Sequence, residues 1–227
     1  MVTVLSVGGS IVAPENPDPE FLSAFANLVR SWLAEDNSRK LILVVGGGGP
    51  ARSWQKAFRA VSPDGADDQA DWIGIMATRL NAQLLKAMFA DICPGDVVYD
   101  PTKVEVFTGR IIVAAGWKPG FSTDNDAVLL AERFSADTVI NLSNIAKVYT
   151  DDPRTNPEAK PIDAISWAEF RKIVGDEWVP GKNVPFDPIA SMHAEKAHIR
   201  VICAAGRDIA NLRAILDGKP FTGTTIG

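Results

Sequence analysis

Along the chain, short runs of continuously apolar residues alternate with longer stretches in which apolar positions recur every three or four residues. The runs at 2–7 (VTVLSV), 41–45 (LILVV), 97–99 (VVY), 111–114 (IIVA), 137–142 (DTVINL) and 199–204 (IRVICA) have the length and composition of strands. The periodic stretches at 18–34, 50–61, 67–91, 123–135, 165–174, 187–198 and 208–217 read as helices. A strand that is apolar throughout, rather than at alternate positions, is covered on both faces. The pattern therefore predicts an α/β fold with a mainly parallel sheet between helix layers. Segments 150–164 and 176–187 are rich in Pro, Asp and Asn, show little period and read as loops. No repeat, low-complexity tract or clear boundary divides the chain, so one domain over 1–227 is expected.

The helix predicted at 67–91 carries Ile73, Met76, Leu80, Leu84 and Met88 at three-to-four spacing, with Leu85 and Phe89 beside them. Such a stripe faces either the core or another subunit.

Composition narrows the class. A chain of 227 residues, 46% hydrophobic and 22% charged, can bury a large core. No apolar run approaches the roughly 18 residues of a membrane span, and "MVTVLSVGGS" lacks the basic region of a signal peptide. The expectation is a cytoplasmic protein with no membrane partner. Cys93 and Cys203 are too few and too far apart for a disulfide framework or a CxxC metal site. A net charge of -5, from 23 basic and 28 acidic residues with no basic block, argues against nucleic acid as a partner. An anionic small ligand must therefore be met by local groups.

Three glycine-bearing turns each follow a predicted strand: "SVGGS" at 6–10, "VGGGGPARS" at 45–53 and "AAGWKPGFSTDND" at 114–126. In a parallel sheet these turns share one edge, where open α/β folds bind ligands. The four glycines at 46–49 would let a phosphate reach backbone N–H groups, and Pro50 suits a first helical turn. A ligand-free turn needs only one or two glycines. A Walker A loop is excluded because no GK[ST] follows. Gly46, Gly48 and Ala51 satisfy G-x-G-x-x-A, but polar "SPDGADDQAD" and another helix follow, where a dinucleotide fold wants a strand ending in an acid. In the third turn, Ser122, Thr123, Asp124, Asn125 and Asp126 head a helix that needs only one cap, which points to a ligand as well. Asp124 and Asp126 can hold Mg²⁺ through water, and Asp124 can orient cationic groups.

The ordered set "VGGS", "VVGGGGPAR", "DWIGIMATRLNAQLL", "GWKPGFSTDNDAVLLAE", "SNIAKVYTDDPR", "FDPIA" and "GTTIG" resembles the amino acid kinase superfamily and, within it, UMP kinases of the archaeal type. The likeness runs over residues 1–227. It implies a three-layer α/β/α sandwich on a sheet of about eight strands, and in-line transfer of the ATP γ-phosphate to UMP with Mg²⁺ and no covalent intermediate. UMP would lie on the amino-terminal lobe and ATP on the carboxy-terminal one. Homo-oligomers are implied too, dimers assembling to a hexamer, with the stripe at 73–89 as the dimer face.

Residue by residue, the resemblance implies that Gly9 and Ser10 touch ATP phosphates, Gly47 the UMP phosphate, and Gly48 and Arg52 the space between them. Asp71 would hold the UMP ribose, while Gly116, Trp117, Lys118, Pro119, Gly120, Phe121, Ser122 and Thr123 wrap its base and phosphate. Asp124 would be the catalytic organiser, and Ser143, Asn144, Tyr149 and Asp152 would bind the ATP nucleoside. The chain also departs from the family. Ser6, Gly49 and Met192 stand where lysines are usual, Ala146 and Lys147 replace Asp-Gly, and "GWKPGFST" replaces "GTHPGHTT". Arg52, Lys147 and Lys118 are the candidates to replace the lost cations, the first two as catalytic groups beside Asp124. Two rivals stand beside this reading. One is a kinase of the same fold acting on another small phosphate, phosphonate or carboxylate; the other is a nucleotide-binding or storage protein without turnover.

Overall fold

The computed structural model describes residues 1–177 and 184–227. In chain order the elements are β1 (Val2–Val7), α1 (Gly9–Val12), α2 (Pro19–Ala34), β2 (Lys40–Val45), α3 (Gly48–Val61), α4 (Asp67–Met88), β3 (Ile111–Ala114), α5 (Thr123–Arg133) and β4 (Thr138–Ser143). Then come β5 (Val148–Tyr149), β6 (Pro161–Ile162), β7 (Ala164–Ile165), α6 (Trp167–Val174), α7 (Pro188–Lys196), β8 (Arg200–Ala205), α8 (Ile209–Leu216) and β9 (Thr224–Ile226).

The main sheet has seven strands in the order β3-β2-β1-β4-β8-β9-β7, and β5 and β6 form a separate antiparallel pair. From β3 to β8 every pairing is parallel, and β9 runs antiparallel to β8. The two sheet faces bury different residues of the same strands. Leu5, Val7, Leu41, Leu43 and Val45 pack with Phe25, Trp32, Leu85 and Leu212 of α2, α4 and α8. Val4, Ile42, Val44, Val139 and Val201 pack with Leu130, Phe170 and Ala190 of α5, α6 and α7. Each such side chain contributes about 1.5–3 kcal/mol by leaving water, which is why the core strands carry no polar face. The expected three-layer α/β/α sandwich on a mainly parallel sheet is what forms.

Side-chain caps set the helix starts. Asp18, with Pro19 behind it, accepts from Phe21 N–H, Ser122 from Asn125 N–H, and Asp187, with Pro188 behind it, from Ala190 N–H.

Several expectations need correction. Residues 97–99 form no strand: Val98 makes one isolated bridge to Ala114, and Pro101 follows with no N–H to extend the pairing. The sheet has seven strands rather than about eight. The segment read as a loop at 150–164 contains β6 and the first residue of β7, and two-residue strands are too short to show a period. The loop read at 176–187 falls partly on 178–183, outside the described residues. The helical stripe divides. Leu85 and Phe89 are fully buried, whereas Met76 is 58% and Leu80 69% exposed, on the part of α4 beside α3. Helix α3 itself buries no residue. Among the described residues no helix is long and apolar enough to cross a membrane.

Candidate active site

The chain steps outward from β1 to β2 to β3, then returns through α5 to lay β4 on the other side of β1. Loops after adjacent strands diverge at such a reversal and leave a crevice beyond their carboxyl ends. All three glycine turns lie on that edge, and Gly8 donates its N–H to Leu142 O of β4 at 2.9 Å.

The first two turns are in backbone contact. A Cβ on Gly9 would lie 2.0 Å from Gly48 N, and one on Gly46 2.5 Å from Gly9 N. Gly48 has φ +66°, and its Cβ would sit 2.3 Å from Gly9 O; a Cβ on Gly49 would sit 2.0 Å from Pro14 O. Gly46, Gly48 and Gly49 are thus required by neighbouring backbone before any ligand is considered, while a Cβ on Gly47 would meet Ala51 Cβ at 2.6 Å. Gly46 N–H donates to Val7 O and Gly49 N–H to Ala13 O. The N–H groups of Gly47 and Gly48, at the head of α3, have no such partner among the described residues and remain for an anion.

Across the crevice stands Asp124, in the first turn of α5. Its Oδ1 accepts from Ser6 Oγ–H at 3.0 Å and its Oδ2 from Asp187 N–H at 3.3 Å. Burial, with the charge of Asp187 adding to it, pushes the Asp124 carboxyl up to about 6. Burial also raises Asp187. Asp126 is 1% exposed, and burial foremost lifts it to about 7. Carboxylates held this far above their ordinary range mark a place that favours a cation or a proton.

Asp126 is tied to the loop after β3. Its Oδ2 accepts from Trp117 N–H at 3.2 Å and its Oδ1 is buried without a partner. That carboxylate pins the loop after β3 from beneath through one oxygen and leaves the other unbonded. Among the described residues no group of three or more His, Cys, Asp or Glu could hold a metal. Lys147 pairs its ammonium with Asp163. Asp152 is engaged by Arg154, whose guanidinium holds it down to about 2. Arg52 remains available. Its guanidinium makes only a 3.4 Å contact to Pro14 O and has no acidic partner among the described residues.

The other expected residues divide between the two sides of β1. Ser10 stands with Gly9 in α1, after β1. Asp71 accepts from Gly120 N–H at 3.1 Å, which ties α4 to the loop of Pro119, Gly120 and Phe121. Lys118 Nζ lies 4.1 Å from the Trp117 ring centre and 4.8 Å from that of Phe121. Ser122 caps α5, and Thr123 begins it. Ser143 ends β4 and Asn144 follows it, exposed, while Tyr149 lies in β5. Sequence reasoning missed the Ser6–Asp124–Asp187 connection, since bonds across 118 and 63 positions leave no local pattern. It also passed over Thr78, Arg79 and Asn81, polar residues on a helix that otherwise reads as apolar on that side.

The model of the amino acid kinase family matches residues 1–205. The chain belongs to that family. It is 37% identical to the uridylate kinase of Methanospirillum hungatei over 226 residues, which covers 98% of this chain and 93% of the relative. It is 35% identical to the uridylate kinase of Thermococcus onnurineus over 230 residues, covering 100% of this chain and 99% of that one. In structure it is similar to the uridylate kinase of Archaeoglobus fulgidus, with a TM-score of 0.85 at 32% identity and both chains fully covered. The UMP kinase of Bacillus anthracis, with a TM-score of 0.78 at 19% identity and 95% of that chain covered, shares the fold.

Proposed function

We propose that this chain is a uridylate kinase that transfers the γ-phosphate of ATP to UMP. The observation that carries the reading is the crevice at the β1–β4 reversal, where two touching glycine turns face Asp124 in a chain aligned end to end with archaeal uridylate kinases. One phosphate would lie on the turn with Gly9 and Ser10 and the other on the N–H groups of Gly47 and Gly48, which have no backbone partner among the described residues. Asp71 receives the UMP ribose, residues 116–123 enclose the base, and Ser143, Asn144 and Tyr149 border the ATP nucleoside. The half of the sheet from β1 to β3 is thus the acceptor lobe, and the half from β4 onward the ATP lobe, of one domain.

Phosphoryl transfer needs positioning and neutralisation of charge rather than a covalent intermediate. Ser6 Oγ–H and Asp187 N–H fix both oxygens of Asp124. Asp124 is the carboxylate that would hold Mg²⁺ together with nucleotide phosphates, where the ion would neutralise charge on the transferring group. Arg52, one turn into α3, supplies a guanidinium beside the same glycine turns, where the family's lysines are absent. We further assign the chain to the cytoplasm and to pyrimidine nucleotide synthesis, as a homo-oligomer whose copies pair through the exposed apolar face of α3 and α4. Incubating the protein with ATP and Mg²⁺ beside UMP, CMP, AMP and small phosphonates should give UDP fastest. Binding of both ATP and UMP with no product would overturn the reading.

A further inference from the structure

One turn of α4 carries three polar side chains that all reach glycine turns. Asn81, 3% exposed, donates from Nδ2 to Gly46 O at 2.8 Å and to Gly47 O at 3.2 Å. Thr78 Oγ1 accepts from Gly116 N–H at 2.8 Å while donating to Ile75 O at 2.7 Å. Arg79 donates from Nη2 to Trp117 O at 3.0 Å, and from Nε and Nη2 to Gly116 O at 3.4 Å. Its guanidinium is flanked by Tyr99, 4.3 Å from the ring centre, and by Trp72, 5.6 Å away. Trp117 N–H is already held by Asp126. Every backbone polar group of Gly116 and Trp117 is therefore bonded to a side chain of α4 or α5.

We infer that the turn Thr78–Asn81 is a positioning device that fixes the distance between the glycine turn after β2 and the loop after β3, with Arg79 as its principal positioning residue. This rests on the reading of residues 116–123 as the acceptor loop. The physical reason lies in the side-chain types. Two carbonyls of adjacent residues ask for a planar fork with several N–H groups, and a guanidinium provides one. The flanking rings hold that fork in one orientation, so little rotamer freedom is lost when the loop closes on it. Gly116 allows the close approach, since a Cβ there would crowd Thr78 Oγ1 at 3.0 Å and Ile75 Cγ1 at 3.3 Å. Trp117, Lys118 and Phe121, which differ from the family's usual loop, are thereby presented on a backbone pinned from below.

Hydrogen exchange and steady-state kinetics on Arg79→Ala, Arg79→Lys and Thr78→Val test this. In Arg79→Ala and Thr78→Val, peptides covering 115–122 should exchange about tenfold faster, with β1, β4 and β8 unchanged. The KM for UMP should rise about tenfold while that for ATP stays within about twofold, and Arg79→Lys should recover only a small part because it lacks the fork. Unchanged exchange in 115–122, faster exchange throughout the sheet, or KM values for both nucleotides rising together would overturn the assignment. Should wild type fail to phosphorylate UMP, the substrate reading falls and the exchange of 115–122 alone decides the positioning role.

Discussion

Asp124 and Asp126 carry charge where the surroundings disfavour it, and that has a sign. Their carboxyls sit at about 6 and about 7 in the folded chain, above their ordinary value of 3.8. Well below pH 3.8 folded and unfolded chains are both protonated at these groups, and they add no pH-dependent penalty there. As pH rises from about 4 to 8, the unfolded chain ionises first and stability falls, and the loss levels off only above about pH 8, once both folded carboxyls have ionised, at on the order of several kcal/mol. Thermal unfolding of the ligand-free protein should therefore show a lower Tm at pH 8 than at pH 5, and Asp126→Asn should flatten the slope. A Tm that rises from pH 5 to pH 8 in wild type would show that these carboxylates are compensated.

The cations differ in their partners at the same scale. Arg52 has no acidic partner among the described residues, whereas Lys147 is spent on Asp163. Arg52→Ala should cut kcat by at least about a hundredfold, as loss of a transition-state cation does. Lys147→Ala should change kcat by less than about threefold, since an exposed ion pair contributes little. Equal losses in a UMP turnover assay would restore Lys147 to the reaction.

Among elements, the touching turns after β1 and β2 matter most. Gly9→Ala puts a methyl where Gly48 N already is, 2.0 Å away, so one turn must move. We expect a loss of about 2 kcal/mol or more in urea unfolding, together with loss of the Tm shift given by ATP or UMP. A variant as stable as wild type would mean that the turns separate without cost. Strands such as β1, with six continuous residues of apolar or small character, were legible because length and burial on both faces leave a pattern. Strands β5, β6 and β7, at two residues each, hold their places through tertiary contact and leave none. The glycine turns and the head of α5 were legible because residue type reports backbone demands directly. Asp187 was legible only as the first residue of the helix predicted at 187–198 and within "FDPIA", and its proximity to Asp124 belongs to the fold alone.

Over the whole molecule, Trp54 and Val61 on α3 and Trp72, Met76 and Leu80 on α4 leave a broad apolar face in water. If two copies of the chain meet there, the doubly substituted Met76→Asp, Leu80→Asp protein should sediment as a smaller species than wild type while keeping its circular dichroism. A wild-type monomer at micromolar concentration would refute the pairing. The place of β1 in the sheet has a different consequence. It pairs with β2 on one side, from Val2 to Val7, and with β4 on the other, from Val4 to Val7. On the ribosome β2 emerges soon after β1, but β4 follows only after α3, α4, β3 and α5 have been made. For that interval a nascent chain presents a bare apolar strand edge to whatever else is in the cell. The centre of the finished sheet is therefore, for that interval, an open edge of the unfinished one, where the chain can pair with a strand of another molecule until β4 arrives.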